Sequence, residues 1–202
     1  MMKRFFLSAS VPDPQRDPKY FETADHIAIR DAVRALAMLV LPEHLLIWGG
    51  HPAITPMIRI IAESLGAPIQ DHVWLYQSEY FRPQAPVDNQ AFGHIIWTQP
   101  VDGDRQRSLK AMRLEMLSSQ PFDAGVFIGG MEGVEEEFEL FRQHQPKARA
   151  FPVASTGGAA LQLFNLQPES FPRDLLVEQA YLPLFRRLLG LSTTAAASPP
   201  SG

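Results

Sequence analysis

Three short apolar segments of this chain each run into a pair of glycines and then into a helix-like stretch, and this pattern constrains its fold more than any other feature. The pairs are Gly49-Gly50, Gly129-Gly130 and Gly157-Gly158. A buried strand followed by a tight turn and a helix is the repeating unit of parallel sheets covered on both faces. The rest of the chain keeps the same alternation. Apolar runs at 4–9, 44–48, 73–76, 93–98, 123–128 and 148–153 predict six strands. Helical spacing predicts helices at about 24–41, 52–66, 108–119, 134–144, 159–164 and 181–189, with Thr23 as cap of the first and Pro42 as its stop. Residues 77–92, with Pro83 and Pro86, read as a long loop. The expected fold is therefore α/β, Rossmann-like, with a mostly parallel sheet of six or seven strands and helices on both faces.

The 202 residues are 46% hydrophobic, enough for one large core over residues 1–191. From residue 192 the chain holds only Ser, Thr, Ala, Pro and Gly, a composition that reads as a disordered tail. The start, MMKRFFLSAS, is like the opening of a signal peptide, but its apolar part is too short and is soon followed by Pro12, Asp13, Arg16 and Asp17. A first buried strand and a cytoplasmic location are the expectation. No apolar run approaches the roughly 18 residues of a membrane helix, so no membrane association is expected. The net charge of −4 disfavours a broad nucleic-acid surface. With no cysteine, thiolate metal sites and a cysteine nucleophile are excluded. His26, His44, His72, His94 and His144 have no metal-ligand spacing, and no metal or cofactor is expected.

In open parallel sheets the ligand crevice lies beyond the carboxyl ends of the strands. The residues expected there are Ser8 and Ser10 after the first strand, Gly49, Gly50 and His51 after the second, Gly129, Gly130, Glu132 and Gly133 after the fifth, and Ser155, Thr156, Gly157 and Gly158 after the sixth. Glycine lets backbone approach a ligand, and the following helix offers free N–H groups that suit phosphate. None of these turns is a P-loop or a GxGxxG dinucleotide fingerprint. His51 reads equally as a polar turn residue and as a donor or acid/base group. Arg16 reads as an exposed loop arginine able to meet a phosphate, Tyr20 and Phe21 as packing, and Trp48 and Trp97 as core. Glu135, Glu136 and Glu137 open a helix, where its dipole favours carboxylates. One of them can hold ribose hydroxyls or act in acid/base chemistry.

These motifs resemble a known family. VFIGGMEGVEEE resembles the PGGxGTxxE loop of the SLOG superfamily, which includes the LOG phosphoribohydrolases, the DprA/Smf proteins and nucleotide-sensing domains of bacterial conflict systems. Arg113 precedes Gly129 by sixteen residues, the spacing of an arginine in the LOG enzymes. The segments FLSAS, IWGGHPAITP, SLKAMR, GGMEGVEEE and PVASTGGAA look most like the branch tied to conflict systems. The loop departs from the family pattern at three points. Ile128 replaces the proline, Glu132 is an extra residue, and Val134 replaces the threonine. The family glutamate consequently falls on Glu137 or on Glu136. The resemblance implies a nucleotide-like small-molecule ligand, an oligomer or effector partner that reads its binding, and Arg113, Glu136 and Glu137 as candidates for chemistry. Sensing of a nucleotide-derived signal, NAD-derived or cyclic, is the first expectation. A LOG-like phosphoribohydrolase or N-glycosidase acting on nucleoside monophosphates is the alternative.

Overall fold

The strands alternate side chains between two layers, and this alternation builds the core. In strand β1 (Arg4–Ser10), Phe5 and Leu7 face one way and Phe6 the other, and all three are fully buried. The computed structural model describes residues 1–66 and 71–191, so the tail expected from 192 lies outside the described residues. Six strands are present: β1, β2 (Leu45–Trp48), β3 (Val73–Ser78), β4 (His94–Thr98), β5 (Ala124–Gly129) and β6 (Arg149–Val153). They form one all-parallel sheet in the order β4-β3-β2-β1-β5-β6. The fold expectation is met, with six strands.

The helices are α1 (Pro18–Phe21), α2 (His26–Val40), α3 (Thr55–Leu65), α4 (Arg105–Ser118), α5 (Glu132–His144), α6 (Gly158–Leu166), α7 (Asp174–Val177) and α8 (Tyr181–Leu189). On one face α2, α3 and α8 pack against Phe5, Leu7, Leu46, Trp48, Val126 and Ile128. On the other, α4 and α5 cover Phe6, Leu45, Ile47, Tyr76 and Phe127. Phe6 stacks on Phe141 of α5 at 5.5 Å between ring centroids. Gly125, under that ring, leaves room for it, since a Cβ there would come within 2.9 Å of Phe141.

Two helix starts differ from expectation, for local reasons. The cap of α2 is Asp25, whose Oδ1 accepts from the N–H groups of Ile27 and Ala28, both at 2.9 Å. Thr23 instead accepts from the N–H of Gly158 and so ties α1 to the turn after β6. Helix α3 starts at Thr55 rather than Pro52, because the carbonyl of His51 accepts from the N–H groups of Ile54 and Thr55 and holds an extra turn ahead of the helix. The expected loop between β3 and β4 carries two 3-10 turns, Glu79–Gln84 and Val87–Ala91. The second packs on α3, where Arg59 pairs with Asp88 at 2.9 Å. No α-helix intervenes between these two parallel strands, and the two turns make the crossover, the first against β3 and the second against α3.

Candidate functional site

The chain runs outward from β1 to β4 and then returns to place β5 on the other side of β1. A reversal of strand order in an open parallel sheet is where a ligand crevice is expected, at the carboxyl edge. A cavity of about 150 Å³ lies there, bounded by Ser8, Ser10, Gly49, Gly50, His51, Arg113, Gly133 and Glu137, with Arg16 over them. A second chamber of about 380 Å³ adjoins it and shares Arg16, Gly49, Gly50 and His51 as lining.

At the centre is a three-residue network. The hydroxyl of Ser8, buried at the end of β1, donates to Glu137 at 2.6 Å. Arg113, projecting from α4, donates through Nε to the other Glu137 oxygen at 3.2 Å and pairs through Nη1 with Glu136. The Arg113 and Glu137 side chains are 13% and 14% exposed, whereas Glu136 is 55% exposed. Successive helical residues point about 100° apart, so only one of the two glutamates can face the sheet, and it is Glu137. Gly133 makes the contact possible: a Cβ at this position would lie 2.8 Å from Arg113 Nη2. Helix α5 begins beside the cavity, and Met131 at its cap offers no side-chain hydrogen bond to the first turn.

His51 stands where the two chambers meet. Its Nδ1 accepts from the N–H of Ala53 at 3.2 Å, which puts the proton of the neutral ring on Nε2. Burial pushes its pKa below the ordinary 6.5, and Arg16 pushes the same way. At neutral pH His51 is an uncharged hydrogen-bond donor. Arg16 pairs with Glu132 at 3.2 Å, both half-exposed, so the extra acidic residue of the loop is answered by a cation from the loop after β1.

The structure does not bring every expected residue to the cavity. Gly129, Gly130, Thr156, Gly157 and Gly158 lie behind it and bind one another. The N–H of Gly129 donates to Thr156 Oγ1 at 2.8 Å, Gly130 donates to the carbonyl of Ser10 at 2.8 Å, and Ala159 donates to the carbonyl of Gly130 at 2.8 Å. A Cβ on Gly158 would come within 2.7 Å of the Gly130 carbonyl. The two turns after β5 and β6 are in backbone contact at Gly158, while Gly157 lies against the backbone of Thr23 and Ala24. Ser155 is turned toward α7 and α8, donating to the carbonyl of Glu178 at 2.9 Å. Conversely, Gln77, Ser78, Phe81, Asn89 and Arg105 line the second chamber and carried no motif. Their one signal was the strand end Gln77-Ser78, an interruption of an apolar run by two polar residues.

Among the described residues there is no cluster of three or more His, Asp or Glu able to hold a metal, and no helix is long and apolar enough to cross a membrane. No curated protein matches the chain. Among solved structures, the X-ray structure of TM1055 (Northeast Structural Genomics Consortium target VT76) is similar at 14% identity and a TM-score of 0.54. The likeness covers 86% of this chain and 89% of that one, and it supports the fold. The model of the SLOG cluster3 family matches residues 19–189, which take in strands β2 to β6, both glycine turns behind the crevice and the Arg113–Glu137 pair, and this chain belongs to that family.

Proposed function

We propose that this protein binds a nucleotide-derived, phosphate-bearing small molecule in the crevice and works as a sensor, passing its occupancy to an oligomer or an effector partner in the cytoplasm. The observation that carries this reading is the convergence of Ser8, His51, Arg113, the start of α5 and Glu137 on one cavity at the strand reversal. Each supplies a function that such a ligand needs. Glu137 has two of its roughly four lone-pair sites engaged by Ser8 and Arg113, which leaves acceptors for ribose hydroxyls. The open helix N-terminus and Arg16 suit phosphate oxygens. Arg113 is shared between two carboxylates, so the site is not strongly positive. It accommodates charge spread over a diphosphate better than a compact monophosphate.

One observation favours the alternative of a LOG-like phosphoribohydrolase: Arg113, which precedes Gly129 by the sixteen residues found in the LOG enzymes, touches Glu137. Two features weigh against turnover. Val134 stands where those enzymes have a threonine hydroxyl. Glu137 is also held from two sides as a fixed acceptor, and a misplacement of about 1 Å in a catalytic group can cost about a hundredfold in rate. The deciding experiment is a single-turnover assay with protein in excess over labelled AMP, and separately over NAD. Binding without release of free base is the expected outcome, and Arg113→Ala weakens that binding about tenfold or more while the protein stays folded. Base release within minutes, abolished by changing both Glu136 and Glu137 to Gln, would establish the enzyme instead.

A further inference from the structure

We propose that the second chamber is a binding site of its own, for an oxyanion carried on a flat apolar body, and that Arg105 is the residue that holds the anion. The site is additional to the cavity of Glu137 and does not depend on what fills that cavity.

Charge separates the two chambers. The second is lined by two arginines, Arg16 and Arg105, and by no Asp or Glu. In the first, Glu137 stands beside Arg113. Arg16 is already engaged by Glu132. Arg105 has no carboxylate partner among the described residues, and its guanidinium lies 5.8 Å from the centre of the Phe81 ring. The acids closest to it in sequence are taken. Asp102 pairs with Arg107, and Asp104 accepts from the N–H of Arg107 at 2.7 Å as the cap of α4. On the turn that carries Phe81, Glu79 holds Arg82 through two bonds of 2.6 and 2.7 Å. On the next turn, Asp88 is held by Arg59. Arg105 is thus the cation of this chamber without a counterion. A cleft lined by one sign of charge concentrates ions of the other sign, and a guanidinium offers a planar fork that fits a phosphoryl or carboxylate group.

The walls restrict what carries the anion. Phe81, Leu109 and Met112 are apolar and line the same chamber as Arg105. A flat apolar body packs on them, with its anion at the guanidinium beside Phe81. His51 and Arg16 border the junction with the first cavity and add a neutral donor and a second cation. No carboxylate in the lining repels an anion. A metal ion or an ammonium would meet two guanidinium groups, and a neutral ring would leave Arg105 uncompensated.

Two methionines make the chambers separately readable: Met112 lines the second and Met131 the first. The test is methyl NMR of the full chain with isotope-labelled methionine, titrated with phenyl phosphate, with benzoate and, as the neutral control, with phenol. Both anions are expected to move the Met112 signal to saturation while Met131 stays in place, and the tighter of the two tells a phosphoryl ligand from a carboxylate one. Phenol is expected to bind about tenfold or more weakly, the worth of a charge-assisted hydrogen bond. Arg105 is exposed at the start of α4, so Arg105→Gln should leave the other methionine signals unchanged and weaken both anions about tenfold. Phenol binding as tightly as the anions in the unaltered protein overturns the proposal, and this comparison needs no variant. Movement of Met131 in place of Met112, or no movement of Met112 with any probe at high millimolar concentration, overturns it as well. Anion binding undiminished in Arg105→Gln overturns the role of Arg105. No nucleotide enters the test, so its failure leaves the reading of the first cavity standing.

Discussion

Gly133 shows how a single missing side chain can serve chemistry rather than backbone geometry. Its helical backbone would accept alanine, but the added methyl would sit 2.8 Å from the Arg113 guanidinium. The displaced atom is the far end of a flexible chain, so the fold gives way there first. Gly133→Ala is expected to keep or slightly raise thermal stability, because alanine is favoured over glycine by up to about 1 kcal/mol in a helix. Affinity for AMP should fall about tenfold. Calorimetric unfolding and binding on the same sample check both halves, and unchanged affinity would show that Arg113 does not need its present position. His51 makes a different demand. Its ring stays neutral in the folded protein below the pH at which the unfolded chain takes up a proton, near 6.5. Below that pH the unfolded state binds more protons than the folded one. Stability is therefore full above about pH 6.5 and declines as the pH falls through the window down to the lower folded value. His44, also pushed down chiefly by burial, adds to the same decline. The urea midpoint should drop between about pH 7.5 and about pH 5.5, and His51→Gln should remove part of that drop and leave the part due to His44.

At the scale of elements, the turns after β5 and β6 are the most constrained. Gly158 has φ +59° and faces the backbone of Gly129 and Gly130, which cannot move without disturbing β5. Gly158→Ala would meet both strain and collision, and a loss of about 2 kcal/mol or more is expected in urea unfolding. Loss of that anchor would also shift the start of α5, so binding should weaken together with stability, unlike the Gly133 substitution. The contrast between the two variants separates glycines that brace the crevice from one that opens onto it. The long segment between β3 and β4 illustrates the opposite case. Its prolines and polar residues read as a loop, and it is one locally, yet its 3-10 turns carry Phe81 and Asn89 into the wall of the second chamber.

For the whole molecule, the crevice is a consequence of strand order. With β5 returned to lie beside β1, Ser8 and Glu137 meet although 129 residues separate them. A ligand bridging β1, α4 and α5 ties the two halves of the sheet together and stabilises the folded state by mass action. At a nucleotide concentration a hundred times the Kd the gain is about 2.7 kcal/mol. For a protein of this size that corresponds to a rise of about 5–10 °C in Tm. Differential scanning fluorimetry with AMP or NAD checks this, and no shift at saturating nucleotide would count against the sensor reading.

The order of strands and helices, the parallel sheet and the placement of Arg113 ahead of the glycine loop were legible in the sequence, because apolar periodicity, glycine turns and fixed spacings are local properties of the chain. The start of α2 was legible only in part, since Thr23 and Asp25 are both good caps and the choice depended on Gly158 claiming the threonine hydroxyl. Only the tertiary structure decided that Glu137 rather than Glu136 faces Ser8. It also decided that the turns after β5 and β6 meet behind the cavity through Thr156 and Gly158, and that Asn89 donates to Gln77. Each of these depends on which side chains from distant segments arrive at the same point. That is set by sheet order and by helix rotation over the sheet, and neither leaves a periodic mark in the residues themselves.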